Sequence, residues 1–112
     1  MQTEETVQDG VLVVGVRVPR LEASNAPEFR RTLIERIEAG HQQIVIDLAQ
    51  VQFIDSSALG ALIGAVKRMG ALGTIALAAP NGTLSRLLTL TRMDKVFPIT
   101  ETVEDAVAKL AS

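Results

Sequence analysis

The sequence has no cysteine, tryptophan or tyrosine among its 112 residues, and His41 is its one histidine. The lack of cysteine excludes disulfides, thiolate metal sites and thiol nucleophiles. A Ser-His-Asp triad would have to use His41, which follows a predicted helix end and is expected at the opposite end of the central strand from the serines described below. Acyl-transfer catalysis is therefore not expected, and we predict that the chain is not an enzyme.

An excess of charge of one sign is also lacking. Eleven Lys and Arg against thirteen Asp and Glu give a formal net charge of −2. The basic side chains are scattered and three Phe leave few rings for base stacking, so we expect no nucleic-acid partner. The longest nearly uncharged apolar stretch, 58–66, is far shorter than the roughly 20 residues that span a bilayer, so no direct membrane insertion is expected. The acidic start, 1–5, lacks the regions of a signal peptide, which indicates the cytoplasm.

Motifs that bind phosphate or metal are missing as well. No glycines fit the spacing G-x-x-x-x-G-K-[ST] or the spacing G-x-G-x-x-G. A response-regulator receiver would need several acidic residues after the first strand to hold Mg²⁺, and 19–22 offers Glu22 alone. We therefore predict no metal site and no cofactor.

The pattern of apolar runs predicts the fold. We expect residues 1–112 to form one domain, since this length supports a single core. Asp9-Gly10 between apolar runs predicts an antiparallel hairpin, and 21–24 is then expected to be a loop. Continuous apolar runs that alternate with amphipathic segments predict an α/β fold: a mixed, mostly parallel sheet of about five strands with about four helices, in the order β-β-α-β-α-β-α-β-α. Pro98 places the last strand, 96–99, at a sheet edge or a strand end.

Local signals predict how several helices begin and pack. Asn25 and Glu28 suit a capping box, with Pro27 in the first turn of that helix. Thr102 stands in the same relation to Asp105 at the last helix. Gly60 and Gly64 are expected to let one face of the central helix lie close to the sheet.

The most informative stretch is 44–69, where a β-branched strand pattern changes to a helix pattern after Ile54. Asp55, Ser56 and Ser57 stand at this change, where free backbone N–H groups are expected. Taken alone, such residues are more often a structural cap than a functional site. No base stands beside the serines, so Ser56 is a poor nucleophile, but it is a suitable substrate for phosphorylation. A helix N-terminus tolerates a phosphate of roughly −1.5 to −2 charges, whereas a partner packed over the hydroxyl does not.

The segment 53–62 resembles the signature of STAS domains, and in particular of bacterial anti-sigma factor antagonists. Segments 21–29 and 93–106 are similar to the family's first-helix start and to its last strand and helix. The predicted order of elements is also that of the family.

This resemblance implies partner switching. The unmodified protein would bind an anti-sigma factor that is a serine kinase with a histidine-kinase-like ATPase fold, phosphorylation would release it, and a PP2C-type phosphatase would reset it. Ser56 is the implied acceptor, with Ser57 as the fallback, and Asp55 would help present the hydroxyl. The implied partner-binding residues are Glu22, Ser24, Asn25, Asp55, Ser57, Ala58, Leu59 and Gly60.

Three positions depart from the family pattern. Ala58 replaces a commoner glycine, Glu22 stands where Asp is frequent, and Arg92 where glycine is frequent. STAS domains also occur on anion transporters and in lipid-transport complexes. The alternative function is therefore a stand-alone regulatory subunit of a membrane transport or lipid-transport complex, and an intrinsic nucleotide-binding enzyme has little support.

Overall fold

The computed structural model describes all residues from 1 to 112. The strands are β1 (Thr3–Gln8), β2 (Val11–Val16), β3 (Arg20–Leu21), β4 (Gln43–Asp47), β5 (Phe53–Ile54), β6 (Thr74–Ala78) and β7 (Ile99–Thr100). The helices are α1 (Ala26–Glu38), α2 (Ser56–Met69), α3 (Gly82–Leu90) and α4 (Val103–Ala111), with short 3₁₀ turns at Gly70–Leu72 and Met93–Lys95.

Five strands form the main sheet in the order β1-β2-β4-β6-β7. β1 and β2 are antiparallel, and the remaining neighbours are parallel. Asp9 and Gly10 both have positive φ at the hairpin turn, which matches the right-handed twist of the two strands. The predicted hairpin, the mixed sheet and the element order are confirmed. The last strand lies at the edge as predicted but begins later, because the N–H of Phe97 bonds to the carbonyl of Met93 in a turn.

A second, two-stranded sheet was missed by the sequence analysis. β3 and β5 pair in parallel, with Arg20 opposite Phe53 and Leu21 opposite Ile54. The prediction that Leu21 begins a loop is therefore wrong. Strands of two residues are too short to show a hydrophobic period, so the sequence carried little signal for them. This pair fastens the segment before α1 to the segment before α2, and the N–H of Asp55 extends it by donating to the carbonyl of Leu21 at 3.1 Å.

The two faces of the main sheet bury different amounts of apolar surface. On β2, Leu12 and Val14 belong to a core of 23 buried residues beneath α1, α2 and α3. Val11 and Val13 point to the other face, where α4 completes a cluster of only seven. The alternation follows from the period of two in a strand. The sheet is thus anchored mainly from the face that carries α2.

The capping box predicted at α1 is not formed, and the packing predicted for the glycines of α2 is wrong. Asn25 is at the N-cap position of α1 as predicted, but its side chain makes no capping bond: its Oδ1 accepts from the N–H of Glu22 at 2.9 Å, and its Nδ2 donates to the carbonyl of Arg20 at 2.8 Å. Glu28 instead pairs with the terminal ammonium of Met1, and the hydrogen bond from that ammonium lowers the pKa of Glu28. Neither glycine lies against the sheet: a Cβ at Gly60 would meet no atom within 4 Å, and one at Gly64 would lie 2.6 Å from Nε of Arg30 on α1.

Other local predictions hold. Pro27 lies in the first turn of α1, where its missing N–H leaves no intrahelical bond unmade. Thr102 caps α4 by accepting the N–H of Asp105 at 3.0 Å.

Candidate functional site

The start of α2 is fixed by one carboxylate. Oδ1 of Asp55 accepts the N–H of Ala58 at 3.0 Å, which satisfies a backbone donor that has no partner inside the helix. Oδ2 of Asp55 accepts the N–H of Ala23 at 3.0 Å. Asp55 therefore caps α2 and also holds the loop that precedes α1 against the tip of α2.

Ser56 and Ser57 are the first two residues of α2, and both are exposed. Neither hydroxyl takes part in the hydrogen bonds of Asp55. The nearest imidazole in the sequence, His41, precedes β4 and so lies at the amino end of the parallel strands, whereas α2 starts beyond their carboxyl end. Without a neighbouring base the serines are not activated nucleophiles, but they are open to a modifying enzyme.

The predicted partner-binding residues lie on two segments that Asp55 joins. In the loop, Ser24 is exposed while Glu22 and Asn25 are partly buried. On α2, Gly60 is exposed and Leu59 is partly buried. The two segments form one continuous surface, which we call the α2 tip surface (residues 22–25 and 55–60).

Ala58 differs from the other residues of this set. It is fully buried and belongs to the main core. Its methyl group supports the first turn of α2 from below, so it does not reach the surface itself.

A groove of about 680 Å³ runs between α1 and α2. Its lining residues are Ala23, Ala26, Pro27, Arg30, Arg31, Ile34, Glu35, Glu38, Ser57, Gly60 and Ala61. Ser57 belongs to this lining together with Arg30 and Arg31, whereas Ser56 does not. Of the two serines, which are adjacent in the chain, only Ser57 opens onto the groove.

Sequence reasoning gave no role to two residues beside the α2 tip surface. Phe53 is 38% exposed, and the guanidinium carbon of Arg20 lies 4.2 Å from the centroid of its ring. Nε of Arg20 also donates to Oε1 of Glu22 at 3.2 Å. The available signal was alternation: Ile54 is buried, so its neighbour on β5 points outward.

Neither a metal centre nor a membrane helix is evident. No group of three His, Asp or Glu side chains is placed to hold a metal ion. None of the four helices has the length and apolar character needed to cross a bilayer. The site consists of exposed hydroxyls on a helix tip, a capping carboxylate and a neighbouring loop.

This fold and site define a class: an α/β domain with a five-stranded mixed sheet that displays serines at the start of its second helix. A family model described as the STAS domain matches residues 2–106. The chain belongs to the STAS domain family.

The chain is similar to anti-sigma factor antagonists in sequence and in structure. An anti-sigma F factor antagonist from Paenibacillus polymyxa is 30% identical over 112 residues, which cover 98% of this chain and 95% of that protein. The crystal structure of an anti-sigma factor antagonist from Mycobacterium paratuberculosis has a TM-score of 0.90 at 27% identity, covering 99% of this chain and 94% of that one. SpoIIAA from Bacillus, solved in unphosphorylated and phosphorylated forms, has a TM-score of 0.72 at 19% identity and covers 96% of this chain. At that identity the likeness concerns the fold alone.

Proposed function

We propose that the protein is an anti-sigma factor antagonist that binds its partner through the α2 tip surface and is released when Ser56 is phosphorylated. One observation carries the proposal: Ser56 is exposed at the first position of α2, on a tip that Asp55 ties to the neighbouring loop. The names of the relatives from Paenibacillus polymyxa and Mycobacterium paratuberculosis support the same role.

The physical basis of the switch is a change of charge on a rigid surface. A phosphate on Ser56 adds roughly −1.5 to −2 charges beside the carboxylate of Asp55. Within the free protein, the first N–H groups of α2 and the positive end of its dipole stabilise this charge, so the fold does not need to change. A partner lying over the tip would have to desolvate the dianion, which is costly. Phosphorylation therefore opposes the complex more than it opposes the fold.

The surroundings of the two serines favour Ser56 as the switch. A phosphate on Ser57 would face the groove that Arg30 and Arg31 also line, and the positive charge of these two side chains would attract it from a distance. A phosphate on Ser56 lies outside that groove and keeps its full charge toward the partner.

The resemblance to STAS-domain anti-sigma factor antagonists implies the partners in this proposal. The anti-sigma factor is a serine kinase with a histidine-kinase-like ATPase fold, and it transfers the γ-phosphoryl group of ATP to Oγ of Ser56 with release of ADP and the hydroxyl proton. The chain itself then needs no cofactor and performs no catalysis. A PP2C-type phosphatase hydrolyses the ester and restores the binding form. We propose that this exchange takes place in the cytoplasm, where the sigma factor acts.

Phosphate incorporation tests the acceptor. The histidine-kinase-like serine kinases of the source organism are purified and incubated singly with the chain and ATP, and intact mass is measured. We expect the cognate kinase to add one phosphate to the wild type and to Ser57→Ala, and none to Ser56→Ala. Thr83→Ala, which removes an exposed hydroxyl from the first turn of α3, is the matched control and should accept one phosphate. Full phosphorylation of Ser56→Ala would contradict the assignment.

A further inference from the structure

Phe53 is the one phenylalanine that the fold leaves at the surface. Phe29 and Phe97 are at most 1% exposed, whereas Phe53 is 38% exposed. It lies on β5, two residues before the carboxylate that caps α2. The ring therefore borders the α2 tip surface and contributes little to the core.

Arg20 holds this ring from the neighbouring strand. Because β3 pairs in parallel with β5, Arg20 lies opposite Phe53, and its guanidinium covers the ring at 4.2 Å. Nε of Arg20 is engaged by the carboxylate of Glu22. The two terminal nitrogens donate to no group of the protein, and the side chain is 55% exposed. The face of the guanidinium thus stacks on the Phe53 ring, while its two terminal nitrogens remain available for hydrogen bonds to another molecule.

The rest of the α2 tip surface offers few groups that could supply affinity. Its exposed members, among them Ser24, Ser56, Ser57 and Gly60, are small and bury little apolar area. In protein interfaces most of the binding energy comes from a few residues, and aromatic and arginine side chains are enriched among them. Leu72 and Leu90, each 75% exposed, lie outside the α2 tip surface, and Leu72 follows α2 at the opposite end of that helix.

We infer that the Arg20–Phe53 stack is the specificity anchor for the kinase that modifies Ser56. This inference rests on the proposed function, since it assigns the partner of the same surface. The ring receives an apolar side chain of the kinase, and the two free guanidinium nitrogens receive a kinase carboxylate, for which their planar geometry is suited. The stack fixes the kinase in place, and Ser56 then accepts the phosphate.

An anchor of this kind has a kinetic signature. It is engaged in the encounter complex and in the transition state alike, so its loss raises KM and leaves kcat unchanged. We expect Phe53→Ala to raise KM about tenfold, as for an aromatic side chain that supplies binding energy at an interface. Arg20→Gln should raise KM about fivefold. It should also make KM less dependent on salt, because the ion pair with the kinase carboxylate, which salt screens, is lost. Leu72→Ala is the control and should match the wild type.

Steady-state phosphorylation of these variants by the cognate kinase tests the inference. The double variant should raise KM by less than the product of the two single effects, because the side chains are in contact. If Phe53→Ala were to unfold, the KM of Arg20→Gln, which leaves the ring in place, would test the anchor by itself. A KM within twofold of the wild type for both variants overturns the anchor while phosphorylation of Ser56 still stands. Failure of every kinase to phosphorylate the wild type overturns the proposed function and the anchor with it.

Discussion

The first turns of α2 and α3 are built alike but have different neighbours. In each, the cap side chain accepts the N–H three residues ahead: Asp55 from Ala58 at 3.0 Å and Asn81 from Leu84 at 2.8 Å. Each turn also carries exposed hydroxyls: Ser56 and Ser57 in α2, and Thr83, two residues after its cap, in α3. The second oxygen of Asp55 binds the N–H of Ala23, whereas the amide of Asn81 makes a long contact, 3.5 Å, with the carbonyl of Val51.

If the α2 tip surface is the docking site as proposed, a hydroxyl at a helix tip is not sufficient to define one. Capping needs one acceptor, and both helices have it. The second carboxylate oxygen of Asp55 adds a connection to another segment, so that a loop and a helix tip form one surface. The following variants compare the two tips, in order of decreasing expected effect.

A negative charge at the start of α2 should weaken partner binding strongly, whereas one at the start of α3 should leave it nearly unchanged. We expect Ser56→Asp to weaken affinity for the kinase about 100-fold, which corresponds to about 2.7 kcal/mol, because the charge is desolvated beside Asp55. Thr83→Asp should bind within twofold of the wild type. Isothermal titration calorimetry measures both, and equal losses in the two variants would show that net charge, rather than its position, governs binding.

Removal of the cap should destabilise α2 more than α3. Asp55→Ala loses two backbone partners and should lower the free energy of unfolding by about 2 kcal/mol. Asn81→Ala loses one good bond and should lower it by about 1 kcal/mol. Urea denaturation gives both values, and Asp55→Asn should fall between the wild type and Asp55→Ala. Equal destabilisation at the two caps would indicate that the bond to Ala23 contributes nothing.

A methyl group added at Gly60 should separate stability from docking. No atom lies within 4 Å of a Cβ at this position, so Gly60→Ala should stabilise the helix by about 0.5–1 kcal/mol. It should weaken kinase binding at least about fivefold, because an extra methyl in a packed interface costs about 1 kcal/mol or more. Gly82→Ala, equally open at the start of α3, is the control and should bind normally. A stabilised Gly60→Ala protein with unchanged affinity would remove Gly60 from the docking surface.

The main architecture could be predicted because its signals are local and repeated. The continuous β-branched run at 44–48 marks a buried strand, and the apolar period after Ser57 marks a helix on one face of the sheet. Asp9-Gly10 has a backbone requirement that few other dipeptides meet, so the hairpin was equally clear. Asp55 was predicted at a helix start because the apolar period changes there and Asp is a common N-cap residue.

The details that shape the candidate site depend on distant partners and left no local pattern. Asn is a residue type that often caps helices, yet the side-chain amide of Asn25 bonds to the backbone of Arg20 and Glu22. These bonds form because the chain turns tightly after the β3–β5 pair. Arg20 and Phe53 are far apart in the chain and meet only through that pair. A two-residue strand cannot be inferred from periodicity, so neither the turn nor the stack could be foreseen.

The most direct test compares the affinity of the unmodified chain and the enzymatically phosphorylated chain for the same kinase. We predict at least about 100-fold weaker binding after phosphorylation of Ser56, with full recovery of affinity once a PP2C-type phosphatase removes the phosphate. Both forms should keep the same circular dichroism spectrum, because the fold accommodates the charge at the start of α2. Equal affinity of the two forms would show that phosphorylation of Ser56 does not release the partner.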